Sequence, residues 1–182
     1  RRQQMWDAAA QHSAPPLWRN VPVHEAPLQL PEAPEGEEIL FDYAATGLTL
    51  RRHPLALLRP RLARWRLQTA LQLHNAAHGR KVRACGIVTV RQRPGTAKGT
   101  MFVTLEDETG PVNVIVWPAM VDVWRNALLR SQLLAVEGVW QCSPGALGSK
   151  AMVRHLVAQR FKDLTPLLGR MAQALQGSRD FH

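Results

Sequence analysis

The chain has 182 residues, 46% of them apolar, and its 23 basic and 14 acidic residues give a formal net charge of +9 and a sequence pI near 10.9. That balance excludes a disordered, weakly hydrophobic chain and points to a nucleic acid or another polyanion as partner. No run reaches the ~18 apolar residues of a membrane span, and Cys85 and Cys142 form neither a CxxC nor a disulfide framework, which fits a reducing cytosol.

The charge is uneven: residues 79–160 hold 11 basic and 5 acidic residues, whereas residues 1–78 hold 9 and 7. The chain opens on Arg1-Arg2-Gln3-Gln4, with no signal-peptide apolar region behind it. Starting on Arg rather than Met fits a piece of a longer protein. Gln3 to His12 reads as a short helix. Pro15, Pro16, Pro22, Pro27, Pro31 and Pro34 then forbid continuous helix, so 13–36 reads as a linker or strap, acidic at its end through Glu32, Glu35, Glu37 and Glu38. Residues 37–46 read as a helix with Ile39, Leu40, Tyr43 and Ala44 inside. After a turn at Thr49 to Pro54, the spacing of Leu55, Leu58, Leu62, Trp65 and Leu73 predicts a helix to about Ala77, kinked or split at Pro60.

At Val82 the period changes to two. Strand one is 82–92, with Ala84, Gly86, Val88 and Val90 on one face and Arg83, Thr89 and Arg91 on the other; Gly86 suggests a bulge or sharp bend. Arg93 to Gly99 is a loop. Strand two is 100–106, with Met101, Val103 and Leu105 inward and Phe102 and Thr104 outward. Asp107-Glu108-Thr109-Gly110 is a turn, and strand three is 111–117, with Val112, Val114 and Val116 inward. Pro118 opens a helix to about Arg130, burying Met120, Val121, Trp124 and Leu128. Strands four (132–141) and five (150–159) flank a Ser/Pro/Gly loop at 143–149. Thr165 and Pro166 start a last helix. The order β-β-β-α-β-β is that of an OB-fold, a five-stranded Greek-key barrel of the α+β class. The chain thus divides into 1–36 (end of a helical region and Pro-rich linker), 37–78 (helical connection), 79–160 (OB-fold) and 161–182 (C-terminal helix and tail).

The run "GRKVRACGIVTVRQRPGTAKGTMFVTLEDETGPVNVIVWP", with "VRQRPGTA", "F.TLEDETG" and "N.IVWP" in that order, resembles the OB domain near the C-terminus of bacterial C-family DNA polymerases. It is closer to the error-prone paralogue of the DNA polymerase III α subunit than to the replicative subunit. "DYAATGLTLRRHPLALLR" (Asp42 to Arg59) resembles the segment preceding that domain, and "RRQQMW" the end of the helix-hairpin-helix region. The match is specific over 42–118 and loose in the proline-rich stretch. It implies a C-terminal portion of a damage-induced (SOS) translesion polymerase that works with accessory proteins. The family's catalytic domains lie upstream, so no catalytic carboxylate carries over and this chain is expected to be non-catalytic by itself.

In an OB-fold the strand 2–3 face and the loops after strands one and four bind single strands. Arg83, Arg91, Arg93 and Lys98 are therefore candidates to neutralise phosphates, with Arg80 and Lys81 beside them; the plain alternative is a solvated basic rim. Phe102 is a candidate to stack a base. Trp117 could share that face or pack beneath the following helix, and packing is the reading favoured; Trp124 and Trp140 are assigned to core or interface. Lys150 and Arg154 could close the groove from the loop after strand four, or be ordinary strand-exterior charges.

Glu106, Asp107 and Glu108 could hold Mg²⁺, but Asp-x-Thr-Gly between strands is ordinary turn chemistry. His74 and His78, four apart, lack a third ligand with matching spacing. Gly95 to Thr100 lacks the phosphate-loop spacing. The thiols have no adjacent base. No cofactor, metal, small-molecule ligand or membrane is expected. The expected partners are single-stranded template DNA and accessory translesion proteins, in the cytoplasm. Three rivals stay open: a protein-docking module, the replicative subunit's OB domain, and an RNA-binding OB domain.

Overall fold

The computed structural model describes residues 8, 33–46, 50–144 and 152–169. The expected helix at 3–12, the proline-rich stretch to residue 32, the loop holding Lys150 and the chain beyond 169 lie outside the described residues. Two compact units divide at Glu38/Ile39. Helix α1 (Glu35–Thr46) starts with Glu35, Glu37 and Glu38 in its first turn, where carboxylates complement the helix dipole. The remaining elements belong to the second unit.

Five strands, β1 (Lys81–Gln92), β2 (Met101–Asp107), β3 (Gly110–Val116), β4 (Leu133–Pro144) and β5 (Met152–Asp163), close into a barrel in the spatial order β1-β2-β3-β5-β4. Every pair is antiparallel except β3–β5. Between β3 and β4 lie α4 (Pro118–Val123) and α5 (Arg125–Arg130), so the β-β-β-α-β-β order of an OB-fold is the one observed. The helix expected over 118–130 is broken at Trp124 (φ −108°, ψ 21°), which caps both short pieces.

Period-two alternation explains the interior. Met101, Val103 and Leu105 of β2 and Val112, Val114 and Val116 of β3 face Trp140, Leu156 and Phe161, while Val121 and Leu128 of α4 and α5 close one end. β1 changes partner half-way: it pairs with β4 through Ile87 and with β2 from Ile87 on. A Cβ at Gly86 would sit 2.8 Å from both the Glu106 amide nitrogen and the Leu105 Cβ, so only glycine admits this approach. The irregularity expected at Gly86 falls instead between Val88 and Val90. One extra residue there reverses the alternation. Val90, expected inside, is 40% exposed, and Arg91 turns inward. A second irregularity, at Glu137/Gly138, brings β5 so close that a Cβ on Gly138 would lie 2.0 Å from the Val157 carbonyl oxygen.

The long helix expected over 55–77 is two helices, α2 (Pro54–Arg64) and α3 (Ala70–His74). The break is not at Pro60, which sits within α2, but at Arg66, whose φ is 57°. The chain leaves the helix there so that Leu67 is buried and the Gln68 amide donates to the Arg83 carbonyl at 2.8 Å. Thr69 and Gln72 then cap α3 reciprocally, a capping box legible in the sequence. Leu55, Leu62 and Leu67 pack with Leu164 and Leu168 over Cys85, Ile87, Leu133 and Ala135, covering the outside of β1 and β4. The last described element is a 3-10 turn (Thr165–Leu168) rather than the start of an α-helix, with Thr165 accepting from the Gln132 amide at 2.9 Å rather than serving as N-cap.

A polar clamp fixes this covering layer. Arg59 of α2 donates through Nε and Nη2 to Glu108, the latter at 2.7 Å, and lies 3.4 Å from Asp107. Asp107 accepts from the amides of Ala70, Thr109 and Gly110 at 2.8, 2.7 and 3.1 Å. The turn chemistry expected of this acidic run is thus observed, with the inter-element clamp added. Burial opposes charge on Glu108, but the Arg59 hydrogen bond and positive charge outweigh it and hold the carboxyl below its ordinary range. His53 caps α2 by accepting from the Leu55 amide at 3.2 Å, and burial lowers its pKa despite the nearby carboxylates.

Three outcomes follow. Gly138→Ala costs about 3 kcal/mol in urea unfolding, because backbone must move. Arg59→Met costs about 3 kcal/mol by leaving the carboxylates without their cation. Stability declines in two stages on acidification. The unfolded chain binds a proton on His53 near 6.5 while the folded chain resists, so stability falls below that pH. The unfolded chain protonates Glu108 near 4.5 while the folded chain holds it ionised, so a second loss begins below that value and completes through the lower folded pKa. Melting temperature against pH shows both stages, and Arg59→Met removes the second.

Candidate nucleic-acid interface

With one side covered, the outside of the distal half of β1 and of β2 and β3 is left open. The registers set two cross-strand rows on it, Val90–Thr104–Asn113 and Gln92–Phe102–Ile115. Trp117 continues the β3 parity one step beyond Ile115. Phe102 is 38% exposed, as expected for a base-stacking candidate, whereas Trp117 is 54% exposed rather than packed beneath a helix. Its position as the residue preceding α4 leaves the indole outside while Val121 and Leu128 seal the barrel. Two aromatic faces therefore stand on an open sheet, with the hydroxyl and amide groups of Thr104, Asn113 and Gln92 beside Phe102, on the sides away from Trp117. The Thr104 hydroxyl donates to Asn113 Oδ1 at 3.3 Å.

The basic end of this surface is the loop between β1 and β2. Its 3-10 turn, Gly95–Ala97, is followed by Lys98 in the left-handed region at φ 48°. Arg93 and Lys98 are exposed, and the Arg93 guanidinium lies over Gly99, with Nη2 3.4 Å from where a Cβ there would be. A cleft of about 260 Å³ between this loop and α4–α5 is bordered by Arg91, Gln92, Arg93 and Arg125. Arg125, exposed on the first turn of α5, was not singled out from the sequence. Helical spacing gives no signal for it, since Arg125 falls four residues after Val121 and three before Leu128, on the flank of the buried face.

The other sequence candidates lie elsewhere or are engaged. Arg91 donates from Nε to the Leu128 carbonyl at 2.7 Å and from Nη2 to the Ser131 carbonyl, so it ties β1 to the C-terminus of α5. Cationic groups suit the orphan carbonyls of a helix end. Arg83 pairs with Glu137 at 2.8 Å on the opposite side of the barrel. Arg154 is half-buried opposite Cys142 and shares the inward parity of Leu156 and Ala158. Lys150 lies outside the described residues. His78 Nδ1 sits within hydrogen-bond distance of both the amide and the carbonyl of Cys142, at 3.1 and 3.0 Å, and is engaged there. Cys85 is buried, and burial pushes its thiol up to about 12, which leaves it a poor nucleophile. Among the described residues no helix is long and apolar enough to cross a membrane, and no three His, Cys, Asp or Glu side chains gather as a metal site.

A family described as "OB-fold nucleic acid binding domain" matches residues 82–164. Along the whole chain, 52% identity over 187 residues relates it to an error-prone DNA polymerase of Ralstonia nicotianae, of which it covers 16%. Similar proteins of the same description from Bordetella parapertussis (50% over 185 residues) and Alkalilimnicola ehrlichii (44% over 182 residues) are each covered to 17%. The chain thus spans about a sixth of the length of the curated relatives it matches. Half-identity from end to end, on a barrel built as an OB-fold, places the chain in the family of bacterial error-prone DNA polymerases, as the C-terminal region that carries an OB-fold nucleic acid binding domain.

Proposed function

We propose that the open β1–β2–β3 face holds single-stranded template DNA for an error-prone polymerase in damage-induced translesion synthesis, with the phosphoryl-transfer chemistry done by parts of the protein outside this chain. The observation that carries the proposal is the pair of exposed aromatic residues, Phe102 and Trp117, on the uncovered face beside Arg93, Lys98 and Arg125. Every base has a π face, so stacking on such a platform tolerates any sequence, and cations at one end supply the backbone attraction. That suits a template whose sequence, and whose damage, cannot be specified in advance. Arg91 acts through position: by holding the end of α5 it places Arg125 and the wall of the cleft.

Titration of labelled oligo-dT at several salt concentrations tests this. Phe102→Ala and Trp117→Ala each weaken binding by about 1–3 kcal/mol. Arg93→Ala and Lys98→Ala each reduce the slope of log affinity against log salt by about 0.7. Affinity that ignores salt, or aromatic variants that bind like the parent, contradict the proposal. Tighter binding of a matched single-stranded RNA would favour the RNA-binding alternative.

A further inference from the structure

The covered side of the barrel carries a second basic surface that the template-binding proposal does not use. The β1–β4–β5 registers set the rows Arg83–Glu137–Arg160 and Cys85–Ala135–Lys162 on it. Glu137 is therefore bracketed by two arginines, one of them its ion-pair partner at 2.8 Å. Among the described residues neither Arg160 nor Lys162 has a carboxylate partner. The end of α2 overhangs these rows. Trp65, its C-cap, is 39% exposed, and Arg61 and Lys162 each lie 5.5 Å from its ring centroid. Between them is a cleft of about 410 Å³.

The cleft sorts its chemistry by depth. Leu67, Ala135, Val136, Phe161 and Leu164, all buried, form its floor, and the charged side chains lie at its exposed edge. Among the described residues no serine, threonine, asparagine or glutamine lines it. A nucleobase seated there would bury its carbonyl and ring-nitrogen edges against hydrocarbon, at a cost of about 1–3 kcal/mol for each group left without a partner. An aliphatic or phenyl side chain has no such groups to strand. Among the described residues the edge sets Arg83, Arg160 and Lys162, with Arg61 beyond them over Trp65, against one carboxylate, Glu137, and so suits carboxylates on either side of that anchor.

We propose that this cleft docks an acidic peptide segment of a partner protein, with one leucine or phenylalanine seated on the apolar floor and flanking aspartates and glutamates against Arg160 and Lys162. Because the cleft and the Phe102–Trp117 face lie on opposite sides of the barrel, the protein holds the peptide and a DNA strand together.

The test uses fluorescence anisotropy of a labelled synthetic peptide, a central Leu-Phe flanked by aspartates and glutamates, mixed with the full chain. The Arg160→Glu/Lys162→Glu variant, shown to be folded by circular dichroism, binds it about tenfold or more weakly. Replacing Leu-Phe by two alanines, or Trp65 by alanine in the protein, weakens binding about tenfold. Excess oligo-dT does not displace the peptide. No binding, equal binding by the charge-reversed protein or by the anchorless peptide, or displacement by oligo-dT each overturns the proposal; the last would place the peptide on the DNA-binding face.

Discussion

One strand decides the character of this molecule. β1 pairs with β4 over its first half and with β2 over its second, and the change of partner at Gly86 and Ile87 lets five short strands close into a barrel. The closure depends on the absence of two side chains. At Gly86 the backbone of β2 occupies the space of a Cβ, and at Gly138 the backbone of β5 does. Because β1 runs through both halves of the sheet, the two sides of the barrel share one rigid element while facing different surroundings. Its first half lies under α2 and the 3-10 turn, and its second half, past the bulge at Val88–Val90, borders open sheet.

The polar clamp makes that asymmetry permanent. Arg59 reaches from α2 to the β2–β3 turn, where Glu108 and Asp107 receive the guanidinium, Asp107 accepts from the Ala70 amide and the Thr109 hydroxyl from the Leu71 amide at the start of α3. Residues that on composition alone resemble a metal site therefore serve as a fastener. The covering layer buries the outer face of β1 and β4 beneath leucines. The aromatic side chains of β2 and of the residue after β3 remain outside, on the side the clamp does not reach. Packing thus divides the surface: the connecting segment covers the outside of β1 and β4 and ends in the concave edge at Trp65, and Phe102 and Trp117 stay exposed on the other side.

Most of the barrel is legible in the sequence because valine alternation in β2 and β3 has only one register that buries it; Met101, Val103, Leu105, Val112, Val114 and Val116 are all where the period places them. The expectations that failed share a cause, since each turned on a contact between residues distant in sequence. Val90 is exposed because a bulge reverses the parity, and a bulge need not leave a residue-type signature. Arg91 looks like any exposed strand arginine until α5 places the Leu128 and Ser131 carbonyls beside it. Arg83 finds Glu137 across 54 residues. The long helix expected after Pro54 breaks at Arg66, since Gln68 joins the edge of β1. Trp117 was misplaced because local spacing cannot tell the seal of a barrel from its rim. Of the candidate site, then, the exposure of Arg93, Lys98 and Phe102 is readable from the sequence, whereas the placement of Trp117 and Arg125 needs the fold.

The central claim is that nucleic acid lies across the β1–β2–β3 face and not across the opposite one. Hydroxyl-radical footprinting of the chain with and without saturating oligo-dT distinguishes the two sides through their aromatic residues. Protection of Phe102 and Trp117 with Trp65 unchanged is the predicted result. Protection of Trp65 with Phe102 and Trp117 unchanged would contradict the account.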